Sequence, residues 1–172
     1  AIIDRTMSPA GDSDAKSRDL ESVYRRHGHA VYRYLLVLTG RRDEAHDVLH
    51  NMFLRMLQKP GLLARLDDEK TYLLRVARNE CLRSKRGRPV CVTGGLASDV
   101  FLLTSAQDGP VETLERQEAA GAVQQAIFSL TLQLREVVQL KLYQNLTFRE
   151  ISDITGVPPT TLFEQYEAAL RH

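Results

Sequence analysis

At 172 residues the chain has room for one ordinary domain or two small ones. A net charge of +1 over 43% hydrophobic and 26% charged residues says nothing by itself about a nucleic-acid partner, so any such partner must be argued from how the charge is distributed. No apolar run approaches the roughly 20 residues that cross a bilayer, so no membrane insertion is expected. With no secretory signal, Cys81 and Cys91 fit free thiols in a reducing, cytoplasmic setting better than a disulfide.

In chain order, residues 1–18 contain Ser, Asp and Gly and lack an apolar run, and they read as a flexible leader. Leu20, Val23, Tyr24, His27, Val31, Tyr34, Leu35 and Leu38 then recur at steps of three and four, the spacing of one helical face, and Gly40 supplies the stop. A second amphipathic helix carries Ala45, Val48, Leu49, Met52, Phe53, Met56 and Leu57 and ends at Pro60-Gly61. Asp67 or Asp68 caps a third, whose apolar positions are Leu73, Leu74, Val76, Ala77 and Leu82 and which Gly87 and Pro89 close. From Gly87 to Pro110, four glycines and two prolines interrupt any periodicity, so this stretch is a linker. Its Val90, Val92 and Val100 to Leu103 favour packing on a neighbouring domain, with contact to a partner protein as the alternative.

A fourth helix is marked by Leu114, Ala122, Val123, Ala126, Ile127 and Leu130, and a fifth by Val137, Val138, Leu140 and Leu142. Thr147 and Glu150 have the spacing of a capping box, opening a short helix with Ile151 and Ile154 that stops at Gly156. Pro158, Pro159 and Thr160 or Thr161 start a last helix with Leu162, Tyr166, Ala169 and Leu170. Two short helices around a tight Gly turn are what a helix-turn-helix needs. The fold class is all-α: two small helical domains, 19–88 and 111–172, joined by the linker 89–110, with the helix-turn-helix in the second.

Charge is most uneven in the third helix. Between Glu69 and Pro89 lie seven basic residues (Lys70, Arg75, Arg78, Arg83, Lys85, Arg86, Arg88) and two acidic ones (Glu69, Glu80). With Tyr72 and Asn79 interleaved, the cluster suits phosphates and unstacked bases. On charge alone, a solvated helix end favoured by the macrodipole is an equal reading. His46 and His50, four apart, have the spacing of a metal pair, but Asp47 stands where a catalytic Glu would be expected and no third ligand follows, so a polar helix surface is the better reading. No nucleophile elbow, P-loop, dinucleotide loop or Cys/His grouping occurs, and no enzyme, metal or cofactor is expected.

Taken together, these parts resemble the extracytoplasmic-function sigma factors of the sigma-70 family. Tyr24-Arg-Arg-His27 with Val31-Tyr-Arg-Tyr-Leu35 is similar to the opening helix of their first domain. Asp43 to Arg55 is similar to the segment that docks on the clamp helices of core RNA polymerase. Thr71 to Asn79 is similar to the helix that melts and reads the promoter −10 element, and the preceding 59–70 loop to the one that captures a flipped base. Leu134 to Val138, Leu146 to Ile151 and Gly156 to Pro158 are similar to the second domain, which reads the −35 element.

The resemblance implies polymerase binding through Asp47, His50, Asn51 and Phe53. It implies −10 contacts by Tyr72, Arg75, Arg78, Asn79, Arg83, Lys85 and Arg86, and −35 contacts by Thr160, Thr161, Phe163, Glu164 and Gln165. An anti-sigma factor is the expected regulatory partner. Where the family shows Glu-Asp, then Gln with an acidic residue, then Phe, this chain keeps Asp47 and Phe53 but carries His46, His50 and Asn51, which implies weaker or pH-sensitive docking. Tyr72 replaces the usual Trp. The last helix carries Phe163, Glu164 and Glu167 where basic residues are typical, so a sigma-like mimic that binds an anti-sigma factor without reading promoters is the alternative.

Overall fold

A computed structural model describes residues 10–58, 68–84, 126–127 and 129–171, with side chains from residue 20 onward. The helices are α1 (Ala10–Thr39), α2 (Arg42–Leu57), α3 (Glu69–Ser84), α4 (Leu132–Val138), α5 (Phe148–Thr155) and α6 (Pro159–Leu170), with a π-helical turn, Gln139–Tyr143, continuing α4. No strand occurs among the described residues, in agreement with the all-α expectation. None of these helices is long and apolar enough to cross a membrane.

α1 begins at Ala10, well inside the stretch expected to be a leader. Between Ala10 and Arg18 there is one glycine and no proline, so an established helix propagates through it at little cost. Its other end is sharper. Gly40 adopts φ 73°, where a residue without Cβ is unstrained, and its amide donates to Leu36 O at 2.9 Å. The chain then turns into α2, which packs on α1, and α3 covers both. At the start of α3 Asp68 is the cap, accepting from the Thr71 amide at 3.0 Å. Burial pushes the Asp68 carboxyl up, but hydrogen bonds from Thr71 and Lys70 and the Lys70 charge outweigh it and hold the group below its ordinary value.

The second half packs on the first. Val137, Leu140, Leu146, Ile151, Ile154 and Leu162 belong to one continuous buried cluster with Val31, Tyr34, Leu35, Leu73, Leu74 and Ala77 of the first half. α4 and the π turn lie against α1, and α5 lies against α3. The physical reason is size: a few short helices cannot close a sizeable core, and docking on a larger neighbour removes their apolar faces from water. Linker residues 89–110, and most of the expected fourth helix, lie outside the described residues.

The π turn is the local device that aims Gln144 inward. The Gln144 amide reaches back to Gln139 O at 3.1 Å, and Asn145 follows at φ 54°, a left-handed position that Asn tolerates better than most residues. The capping box at α5 forms as expected: Thr147 Oγ1 accepts from the Glu150 amide at 3.3 Å, and Glu150 Oε2 accepts from the Thr147 amide at 2.6 Å. Gly156 at φ 75° ends α5, and Pro159 opens α6.

Hydrogen bonds from the Thr147 hydroxyl and amide hold the Glu150 carboxyl below its ordinary value. A carboxylate depressed in the folded state adds stability above its unfolded pKa and loses it as pH falls through the folded one. Thr147→Ala is expected to lower stability by about 1 kcal/mol near neutrality. It should also reduce the loss on acidification, as read by urea unfolding at about pH 7 and about pH 3.

Candidate functional site

Two helical faces bring together seven of the residues singled out from sequence. On α2, Asp47, His50 and Asn51 are all exposed and, at spacings of three and four, share one face. Leu54, 44% exposed, continues that face by the same spacing and was not singled out from sequence. Phe53 does not belong there. It is 8% exposed and meets the Tyr24 ring edge-on at 5.0 Å between centroids, because position 53 falls on the inward side of α2 with Leu49, Met52 and Met56. His46 is exposed and packs on the Tyr32 ring at 4.4 Å. Among the described residues no three His, Cys, Asp or Glu side chains gather as a metal site would require.

On α3 the basic cluster divides. Tyr72, Arg75, Asn79 and Arg83 follow one another at spacings of three and four and lie along one side of the helix. The Arg75 guanidinium sits over the Tyr72 ring, 5.6 Å from its centroid, so a cation and an aromatic face are held together. Asn79 is exposed, and Arg83 reaches Glu80 at 2.8 Å while keeping half its side chain in solvent. Glu80 also accepts from Arg55 of α2 at 2.8 Å, tying the two helices together. Lys85 and Arg86 lie outside the described residues, as does the 59–67 part of the preceding loop.

Arg78, expected among the −10 contacts, faces elsewhere. It lies about a third of a turn from the Tyr72 side and points at the second half of the chain. Its Nε donates to Glu136 Oε1 at 2.8 Å, and Tyr34 Oη donates to the same oxygen at 2.6 Å. Burial alone would lower the Arg78 pKa, but the bond to Glu136 and its charge raise it above the ordinary value. Burial, then the Glu136 charge, push the Tyr34 hydroxyl well up, so it remains a neutral donor. Nearby, Lys70 Nζ donates to Gln144 O at 2.6 Å, and Gln144 Nε2 donates to Ala30 O at 3.2 Å. Sequence reading misses Glu136 and Tyr34 as polar partners. The available signal is an acidic residue next to Val137 and Val138 and four residues before Leu140, on an inward-facing side.

A family model for sigma-70 region 2 matches residues 23–88, which run from within α1 past the end of α3. The chain is 28% identical over 151 residues to the ECF RNA polymerase sigma factor BldN of Streptomyces coelicolor, covering 86% of this chain and 54% of BldN, so it spans about half of that relative's length. It is 26% identical over 164 residues to the ECF RNA polymerase sigma factor SigL of Mycobacterium tuberculosis, covering 94% of this chain and 90% of SigL. It is also 23% identical over 142 residues to the RNA polymerase sigma factor YlaC of Bacillus subtilis, with 82% of each covered. Residues 23–88 thus match sigma-70 region 2, and over most of its length the chain is similar to extracytoplasmic-function sigma factors of the sigma-70 family. Members of this family are non-enzymatic regulators of transcription.

In this chain the α5–α6 pair is acidic. From Asn145 to His172, Arg149 and Arg171 stand against Glu150, Asp153, Glu164 and Glu167, a formal −2. Thr160, Phe163 and Glu164 are exposed, while Thr161 and Gln165 are half-buried. Phe163 and Tyr166 both meet the Phe148 ring edge-on at 5.8 Å, and Lys141 Nζ lies 4.9 Å from its centroid.

The divided roles on α3 are open to measurement. Arg78→Ala is expected to destabilise the fold by about 3 kcal/mol, because Glu136 is left buried without its cation. Arg75→Ala, on the exposed side, should stay within about 0.5 kcal/mol of the parent. Equal shifts in urea midpoint for the two variants would contradict this division.

Proposed function

We propose that the chain is a sigma factor that binds core RNA polymerase and directs promoter recognition at the start of transcription. The observation that carries this reading is one side of α3, where half-buried Tyr72 is aligned with exposed Arg75, Asn79 and Arg83. An aromatic face stacks on an unstacked base, the cations attract phosphates, and the Asn amide can pair with a base edge. The α2 side of Asp47, His50, Asn51 and Leu54 is the polymerase-docking surface in this reading, and its site of action is the cytoplasm.

The −35 element falls to α6, through Thr160, Thr161, Phe163, Glu164 and Gln165. Its acidity removes most of the sequence-independent attraction to duplex DNA. Glu164 can still accept from a cytosine amino group, and Phe163 can touch a thymine methyl. Polymerase and the first half then supply most of the hold on the promoter. The same acidic, partly apolar helix favours a second reading, a sigma-like protein that binds an anti-sigma factor and does not read promoters.

Reconstituted transcription with core polymerase separates the two: promoter-specific transcripts support the first, and core binding without transcripts supports the second. Asp47→Arg is expected to weaken core affinity by about 1–3 kcal/mol, the range for losing a charge-assisted contact. Co-elution of this variant with core polymerase equal to that of the parent would remove α2 from the docking role. On promoter DNA, Arg75→Ala should flatten the dependence of log affinity on log salt by about one unit. Asn79→Ala should change base preference and leave that slope alone. Identical behaviour of the two variants would contradict the separation of phosphate from base contacts.

A further inference from the structure

We propose, resting on the sigma-factor reading above, that the plane on which α3 stacks an unstacked base is the guanidinium of Arg75, with the Tyr72 ring beneath it as its support.

The geometry of the pair decides which face a base can reach. Tyr72 is half-buried and packs against the core, and the Arg75 guanidinium lies over its ring, with Cζ 5.6 Å from the centroid. Stacked layers lie about 3.4 Å apart, so a base between ring and guanidinium would need roughly 6.8 Å. The gap is too small. A base approaching this side of α3 meets the outer face of the guanidinium instead. That face is planar and delocalised, and guanidinium planes take stacked bases as aromatic rings do.

The other described cations of α3 are held by partners within the chain. Arg78 is paired with Glu136 at 2.8 Å, Arg83 with Glu80 at 2.8 Å, and Lys70 donates to the Gln144 carbonyl at 2.6 Å. Arg75 is exposed and makes no ion pair with an acidic side chain among the described residues. Tyr72, three residues earlier on the same side, restricts where the Arg75 stem can go, so less rotamer freedom is left to lose when a base arrives. The guanidinium N–H groups lie in its plane, so its edge can donate to a phosphate while its face carries the base. One side chain then makes both the backbone contact and the stacking contact. A lysine in its place would make only the first, because an ammonium is a point charge without a face.

The test titrates the full chain by fluorescence anisotropy with two labelled probes. One is an oligodeoxyadenosine strand; the other is a strand of equal length that keeps the sugar-phosphate backbone and lacks every base. The ratio of the two affinities isolates what the bases contribute, and the salt dependence counts phosphate contacts. Arg75→Lys should lower the ratio about tenfold, the order of one stacked base, and leave the salt slope at the parent value. Arg75→Ala should lower the ratio equally and flatten the slope by about one unit. Urea unfolding checks that both variants keep the parent's stability. An unchanged ratio in Arg75→Lys would overturn the proposal, as would a parent ratio near one. An unchanged or higher ratio in Arg75→Ala would overturn it too, by placing the base on the Tyr72 ring that the truncation uncovers. Reconstituted transcription by the parent chain separates this inference from the reading beneath it. Promoter-specific transcripts with a failed ratio test overturn the Arg75 plane alone, and a lowered ratio without transcripts overturns the sigma-factor reading alone.

Discussion

A carboxylate withdrawn from water is stable only where donors and a cation replace the hydration it has lost, and Glu136 meets that requirement with groups from two other helices. Tyr34 comes from α1 and Arg78 from α3, so satisfying one side chain of α4 fixes the relation of three helices. The apolar residues around this centre, Val137, Leu140, Leu73, Leu74 and Ala77, supply most of the driving force for burial. They are not directional. The hydrogen bonds to Glu136 select one arrangement among the many that would cover the same apolar area.

This constraint explains why the basic residues of α3 do not act as one patch. A helix has more than one side, and residues three and four apart share a side whereas neighbours do not. Arg75, Asn79 and Arg83 form the solvent side, with half-buried Tyr72 at its edge against the core, while Arg78 serves the junction. Lys70, at the first turn, also joins the junction through Gln144, where burial lowers its pKa against the opposing charges of Asp68 and Glu150. Charge density along a sequence is thus a poor measure of the charge presented to a ligand. What counts is the subset that neither burial nor an internal carboxylate has claimed.

Much of the fold was legible because its signals are local. The three- and four-residue recurrence of apolar residues marked α1 to α3, and Gly40, Asp68, the Thr147–Glu150 box and Gly156 stand at the ends they were expected to set. These rest on backbone geometry within a few residues. The inward turn of Phe53 was less legible, because an aromatic residue serves a core or an interface equally well and only packing against Tyr24 decides. The π turn at Gln139–Tyr143 has no sequence signature, since it depends on what the extra residue allows Gln144 to reach. The joining of the halves depends on contacts more than a hundred residues apart along the chain, such as Tyr34 with Glu136, which no local pattern records.

The contact that fixes this arrangement joins Arg78 of α3 to Glu136 of α4, and a double-mutant cycle on the two residues, read by urea unfolding, measures it most directly. The account predicts that Arg78→Ala and Glu136→Gln together cost clearly less stability than the sum of the two alone, because each single change already breaks the shared contact. Additive costs would contradict it.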